Sequence, residues 1–234
     1  MRILLVGYGK MGRLVSELAP QYDCEVAGVV DPFSSNNTAP LDDPRWKGVD
    51  VAIDFTSPEA VVRNVSTLAG LGINIVLGTT GWQKHEPELR TAVADANVGI
   101  VAAPNFSTGV VLFDALVSRA AALFADRPEF GAFLHEAHHG AKKDAPSGTA
   151  LKLKASMVEA GYARPIDVSA TRAGYIPGTH TIGFDGPSES ITLTHTARDR
   201  GAFARGALAA ATWVHGRSGW FTMQDVLGIT GRES

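Results

Sequence analysis

With 234 residues, 45% of them hydrophobic and 19% charged, the chain has the composition of a soluble globular protein with material for one large core or two modest ones, which excludes disorder. Its formal net charge of −3 provides no global basic field for nucleic acid, so any anion binding must be local. Cys24, the single cysteine, excludes an internal disulfide and suits a reducing compartment.

The opening apolar run, 1–6, is too short for a signal-peptide core and is followed at once by Gly7, Gly9 and Lys10, so a cytoplasmic protein without a membrane span is expected. Residues 2–6 read as a strand, 11–18 as a helix, and 25–30, 51–54, 73–77 and 98–102 as four further strands. Helical segments at 58–69, with Ser57 and Pro58 as start signals, and at 87–96 lie between them. Strands alternating with helices predict a parallel, doubly wound sheet of Rossmann type. The character changes near Asn105. A helix at 110–124 leads to a strand at 130–136, a Gly, Lys and Asp-rich loop and a helix at 149–160. Strands at 166–171, 180–184 and 190–196, joined by Gly and Pro turns, predict a second, α+β domain whose mixed sheet is mostly antiparallel. A helix at 203–214 follows, and 220–227 is expected to pack back on the first domain.

Gly7-Tyr8-Gly9-Lys10-Met11-Gly12 has G-x-G-x-x-G spacing directly between the first strand and first helix, where absent side chains let backbone amides approach a pyrophosphate. Asp31 ends the second strand about 20 residues on, where a carboxylate can accept from ribose hydroxyls. That acid disfavours a 2′-phosphate and leans toward NADH, while Lys10 in the turn keeps NADPH open.

The segment from Glu136 to Ala150 concentrates His138, His139, Lys142 and Lys143 ahead of a helix start at Pro146 and Ser147. The amides of Ser147, Gly148 and Thr149 are the expected unpaired donors there, a place for a carboxylate, and histidine can exchange a proton near neutral pH. His135-Glu136-Ala137-His138-His139 also fits H-E-x-x-H, but that zinc motif needs a helix and this segment reads as a strand, so no metal is expected.

Glu136 to Ala150 resembles the E-x-H-H-x-x-K-x-D-A-P-S-G-T-A signature of dihydrodipicolinate reductases. The resemblance extends, in the family's order, through Asp54-Phe55-Thr56, Gly78-Thr79-Thr80-Gly81, Ala103-Pro104-Asn105-Phe106-Ser107, Arg172-Ala173-Gly174, Pro177-Gly178-Thr179-His180 and residues 198–207. It implies a dinucleotide-binding domain at 1–105, completed by about 200–234, and a substrate-binding and oligomerisation domain at 106–199. It implies NADH or NADPH as cofactor, held by Gly7 to Gly12 and Asp31 at the adenosine half, and by Phe55, Gly78, Thr79, Thr80, Ala102, Ala103, Pro104 and Asn105 toward the nicotinamide. His138 is implied as general acid or base and Lys142 as a second proton donor. His139, Ser147, Gly148 and Thr149 are implied to bind a small dicarboxylate, with Arg200 either a further cation there or a salt-bridge partner of its neighbour Asp199, and Lys143 solvated. The implied reaction removes a 4-hydroxyl as water and delivers hydride to the ring, with residues 105–108 as a hinge and a homotetramer as the assembly; neither nucleic acid nor membrane is an expected partner. Three departures stand out: the glycine turn is one residue shorter than the family's commoner form, Gly140 and Ala141 replace bulkier residues, and the chain is short for the family. Another two-domain dehydrogenase would share the glycine turn without the histidine loop, and a dinucleotide-sensing regulator would bind cofactor without turnover.

Overall fold

The computed structural model describes residues 1–229; the stretch 230–234, to which the expected first domain extends, lies outside them. The chain divides into two compact units, one built from Met1–Thr108 together with the chain from Gly201 onward, the other from Gly109–Arg200.

The first unit begins with β1 (Arg2–Val6), α1 (Lys10–Leu18) and β2 (Glu25–Val30). It continues through β3 (Val51–Asp54), α2 (Pro58–Gly70), β4 (Asn74–Leu77), α3 (Glu86–Asp95) and β5 (Gly99–Ala102). The second unit holds α4 (Thr108–Phe124), β6 (Gly131–His138), α5 (Gly148–Glu159), β7 (Ile166–Arg172), β8 (Thr179–Asp185) and β9 (Ser190–Thr196). The chain then returns to the first unit with α6 (Gly201–Val214), β10 (Gly219–Phe221) and α7 (Met223–Leu227).

In the first unit the six strands lie in the order β10-β5-β4-β3-β1-β2, every pair parallel. β1, β3 and β4 are buried almost throughout, as a sheet covered on both faces requires. The helices pack as α1 on α6 and α2 on α3. From β1 the chain winds outward to β2, then returns and winds the other way through β3, β4 and β5. That reversal places a crevice beyond the carboxyl ends of β1 and β3, where ligands bind in open α/β sheets. The returning segment is fastened by Asn74, whose buried amide oxygen accepts from the Gly99 amide at 3.1 Å while its nitrogen donates to the carbonyls of Val214 and Arg217. β10 extends the sheet beside β5 and packs the Trp220 ring at a tilt of 58° against Trp82.

The second sheet runs β7-β6-β8-β9. Antiparallel pairing holds for β6 with β8 and for β8 with β9, but β7 pairs parallel with β6. The short turn after β7 suggests an antiparallel hairpin between 166–171 and 180–184, and the structure corrects this by seating β6 between them. β6, α5 and β7 form a β-α-β unit, whose helix returns the chain in the same direction, and this dictates parallel neighbours. The core beneath gathers Phe113, Val117, Leu134, Leu153, Met157, Tyr162, Ile182 and Phe184, each large apolar side chain contributing about 1.5–3 kcal/mol through burial. Arg164 closes the end of α4 by donating to the carbonyls of Phe124 and Ala125 at 2.8 and 2.7 Å. No helix among the described residues is long and apolar enough to cross a membrane.

Candidate active site

In the first unit the glycine turn is forced by contact. Gly7 has φ +88, and a Cβ there would lie 2.3 Å from the Phe55 carbonyl oxygen; one on Gly12 would lie 2.2 Å from the Gly7 oxygen. Only glycine lets the turn close against β3 and α1 close against the turn. Gly9, in contrast, is open, with nothing within 4 Å of an added Cβ. It precedes α1 without a side-chain cap, so the first amides of the helix remain for a ligand. Tyr8 donates its amide to Asp31 Oδ2 at 2.7 Å, and Phe33 donates its amide to Oδ1 at 2.9 Å. Both bonds fix the carboxylate, and each oxygen keeps a lone pair.

A cleft of about 810 Å³ opens here, lined by Gly7, Gly9, Asp31, Phe33, Phe55 and Arg63 among others. Phe33 is 98% exposed, an apolar shelf beside the carboxylate. Lys10 is exposed at the turn and Met11 half-buried behind it. On the far side a Cβ on Gly78 would strike the Phe55 ring at 2.1 Å, so ring and turn interlock. Thr79 is buried while Thr80 is exposed, and Ala103, just past β5, donates its amide to the carbonyl of Leu77 at the end of β4 at 3.2 Å. Ala102 is half-buried, Pro104 exposed, and Asn105 turns its Oδ1 to the Ser107 amide at 2.8 Å.

Asp54, part of a quoted motif but given no role from the sequence, organises both strand ends. Its Oδ1 accepts from the hydroxyls of Thr56 and Thr79 at 2.7 and 2.8 Å, and its Oδ2 from Asn64 Nδ2 at 2.8 Å. Burial raises the pKa of this carboxyl, and those hydrogen bonds resist the shift. The legible signal was an acidic residue ending an otherwise apolar strand.

In the second unit the strand period does the positioning. Glu136 and His138 are two apart on β6, so both point inward and are buried. Arg172 sits opposite His138 in the parallel register, and His180 opposite Glu136 in the antiparallel one. Arg172 Nη2 donates to Glu136 Oε1 and to the Asp144 carbonyl, both at 2.6 Å. The Ser147 amide donates to Glu136 Oε1 at 3.1 Å, and Glu136 Oε2 pairs with His138 Nδ1. Ser147 Oγ caps α5 by accepting from the Ala150 amide at 3.2 Å and lies 3.1 Å from His180 Nε2. The Ser147 amide, expected to be an unpaired donor, is thus taken by Glu136, because the buried carboxylate needs it more than a solvated turn would. The hydroxyl is also engaged; at the exposed helix start the Gly148 amide is turned toward the Asp144 carboxylate, which it helps keep ionised, and the Thr149 amide follows.

Burial pushes the Glu136 carboxyl up, but the bonds from Arg172, Ser147 and His138 together outweigh it and leave the pKa lowered. His138 is lowered by burial first, with Glu136 opposing and the charges of Lys142 and Arg172 assisting. His180 is pushed down to about 4 by burial and by the charge of His138. Lys142 Nζ grips Asp144 Oδ1 and Oδ2 at 2.7 and 2.9 Å, which holds that carboxyl below its usual range. His139 is half-buried just past the strand, and Lys143 and Arg200 are exposed.

The H-E-x-x-H match is void in this geometry, since four residues along a strand separate the two histidines by about 13 Å. Glu136, His138 and His180 do come within 4.8 Å of one another through their ligand atoms. Each of those residues already has a partner, and Arg172 sets a fixed positive charge on Glu136, so this donor set does not fit a cation.

A doubly wound sheet with an open glycine turn, joined in one chain to an α+β unit with a buried acid–histidine–arginine cluster, defines a two-domain pyridine-nucleotide oxidoreductase. The chain belongs to the dihydrodipicolinate reductase family: residues 1–106 match the family's N-terminal model and 109–227 its C-terminal model. It is 34% identical to 4-hydroxy-tetrahydrodipicolinate reductase of Christiangramia forsetii, over 97% of this chain and 98% of that one. The Myxococcus xanthus protein of the same name is 42% identical over 77% of this chain and 72% of its own. In fold it is similar to dipicolinate-bound dihydrodipicolinate reductase from Paenisporosarcina sp. TG-14, with a TM-score of 0.83 at 23% identity, covering 96% of this chain and 98% of that one.

Proposed function

We propose that this chain reduces 4-hydroxy-tetrahydrodipicolinate to tetrahydrodipicolinate in the diaminopimelate route to lysine, removing the 4-hydroxyl as water and adding hydride to the conjugated ring. The observation that carries this reading is the buried Glu136–His138 pair beside the start of α5 and the Lys142 loop. There a histidine that exchanges a proton stands next to donors for a carboxylate.

A nicotinamide dinucleotide supplies the hydride when bound. Gly7, Tyr8, Gly9, Lys10, Met11 and Gly12 form its pyrophosphate turn, Asp31 accepts from the ribose, and Phe33 offers its ring to the adenine. Phe55, Gly78, Thr79 and Thr80, with Ala102, Ala103, Pro104 and Asn105, line the way to the nicotinamide. Asp31 followed by Pro32 and Phe33 gives a 2′-phosphate no cation, which favours NADH; Lys10 beside the turn and Arg63 in the cleft keep NADPH usable. In the second unit His139 and the amides of Gly148 and Thr149, capped by Ser147, hold the substrate's carboxylates. Lys142 supplies positive charge and a proton, and His138 exchanges a proton with the ring.

The protein acts in the cytoplasm as a homotetramer. The outer face of the four-stranded sheet supports that assembly: it carries exposed hydroxyl pairs, Thr179 with Thr196 and Thr181 with Thr194.

A coupled assay tests the function. Substrate made from pyruvate and aspartate semialdehyde by its synthase should drive rapid oxidation of NADH, and more slowly of NADPH. Cofactor binding without substrate-dependent oxidation would point to another dehydrogenase or to a sensor.

A further inference from the structure

We infer that Glu136 is a positioning residue that fixes His138 as the Nδ1–H tautomer, so that the ring presents a bare Nε2 lone pair to the substrate. The inference rests on the proposed function for its catalytic meaning, but its geometry stands by itself.

The argument is one of donor counting. Glu136 Oε1 accepts from two obligatory donors, the Arg172 guanidinium at 2.6 Å and the Ser147 amide at 3.1 Å. Arginine stays protonated and an amide N–H cannot reverse, so the carboxylate is held ionised and Oε2 is an acceptor with no proton to give. Its partner, His138 Nδ1, must therefore be the donor. In neutral imidazole this leaves Nε2 without a proton. A Cβ added to Gly178 would come within 3.1 Å of Nε2, so the missing side chain there leaves that nitrogen uncrowded on this side.

The charges around the ring come from every neighbouring element. Glu136 lies on β6 itself, Arg172 on β7, His180 on β8 with His195 beyond it on β9, and Lys142, paired to Asp144, on the loop. Among these, Glu136 is the group bonded to the His138 ring. In this arrangement His138 meets the substrate as a proton acceptor at Nε2, and delivery of a proton to the ring falls to Lys142.

Glu136→Gln gives a sharp test. Arg172 and Ser147 still demand an acceptor at the Oε1 position, so the glutamine carbonyl must face them and its NH2 must face His138. Nδ1 then becomes the acceptor and the proton moves to Nε2. Nitrogen-15 spectra of histidine-labelled protein, with His138 assigned by its loss in His138→Gln, should show a pyrrole-type Nδ1 in the wild type and a pyrrole-type Nε2 in the variant. Turnover should fall at least about tenfold, within the ~10²–10⁴ that acid–base catalysis supplies, and should not recover at any pH, while NADH affinity is kept. Loss of charge alone would move the acid limb of the pH profile and leave its plateau. Glu136→Asp, which keeps the carboxylate, should retain the wild-type tautomer and part of kcat.

A pyrrole-type Nε2 in the wild type overturns the inference even if the variant fails to fold, and so does a Glu136→Gln variant with unchanged tautomer and plateau. The spectra need neither substrate nor cofactor. An inactive wild type would therefore contradict the proposed function while the tautomer still decides this inference.

Discussion

Gly178 and His138 are coupled by the absence of an atom: a Cβ on Gly178 would sit 3.1 Å from His138 Nε2 and 3.2 Å from Cδ2. Gly178 also has φ +142, where side chains are strained, and its carbonyl accepts from the Ala197 amide at 2.8 Å, which leaves little room to relax. Gly178→Ala should cost about 1–3 kcal/mol of stability and lower kcat more than tenfold by crowding Nε2. Calorimetry of NADH binding should give an unchanged affinity, because the cleft lies in the other unit; equal kcat would remove Nε2 from the chemistry.

Asp54 makes the opposite kind of prediction, on the cofactor rather than on the chemical step. Asp54→Asn puts an NH2 group where a buried acceptor met Thr56, Thr79 and Asn64, leaving a donor facing donors. Such a group costs about 1–3 kcal/mol. The turns after β3 and β4 should loosen, raising the KM for NADH severalfold with a smaller change in kcat. Steady-state kinetics with varied NADH reads this directly, and a change confined to kcat would place Asp54 elsewhere in the mechanism.

His180 sets an acid limit on stability. Its pKa is pushed down to about 4 from 6.5, so the unfolded chain takes up the proton first as pH falls. Above 6.5 both states are neutral and the residue is silent; between 6.5 and about 4 the unfolded state gains, by up to about 3 kcal/mol, and below that the penalty is constant. Urea unfolding at pH 7 and at pH 5 should show lower stability at pH 5, and His180→Gln should flatten the difference. His138 and His195 are displaced in the same direction, so a remainder is expected in that variant.

The parallel sheet of the first unit was legible because its strands are short β-branched runs ending at glycine or an acid, and because Gly7 to Gly12 mark the turn that the fold then requires. The order of the second sheet was less so. A helix between 130–136 and 166–171 already implied parallel neighbours, but the short turn after Arg172 pointed to a hairpin, and the longer-range β-α-β rule prevailed. At the site, His138 and Lys142 stood out by residue type and by resemblance. Glu136 was quoted in the family signature and in a zinc motif but given no role, although its spacing of two from His138 already placed both on one strand face. The contributions of Arg172 and the Ser147 amide depend on register across β6 and β7 and on where α5 starts, and such long-range pairings carry no local signature.

The most direct test of the account is His138→Gln, assayed at saturating substrate and cofactor alongside calorimetric titration with NADH. The account predicts a fall in kcat of about 10²–10⁴ with the NADH dissociation constant unchanged, as expected when a proton-transferring group is removed from one unit while the cofactor cleft in the other stays intact. Turnover equal to that of the wild type would contradict it.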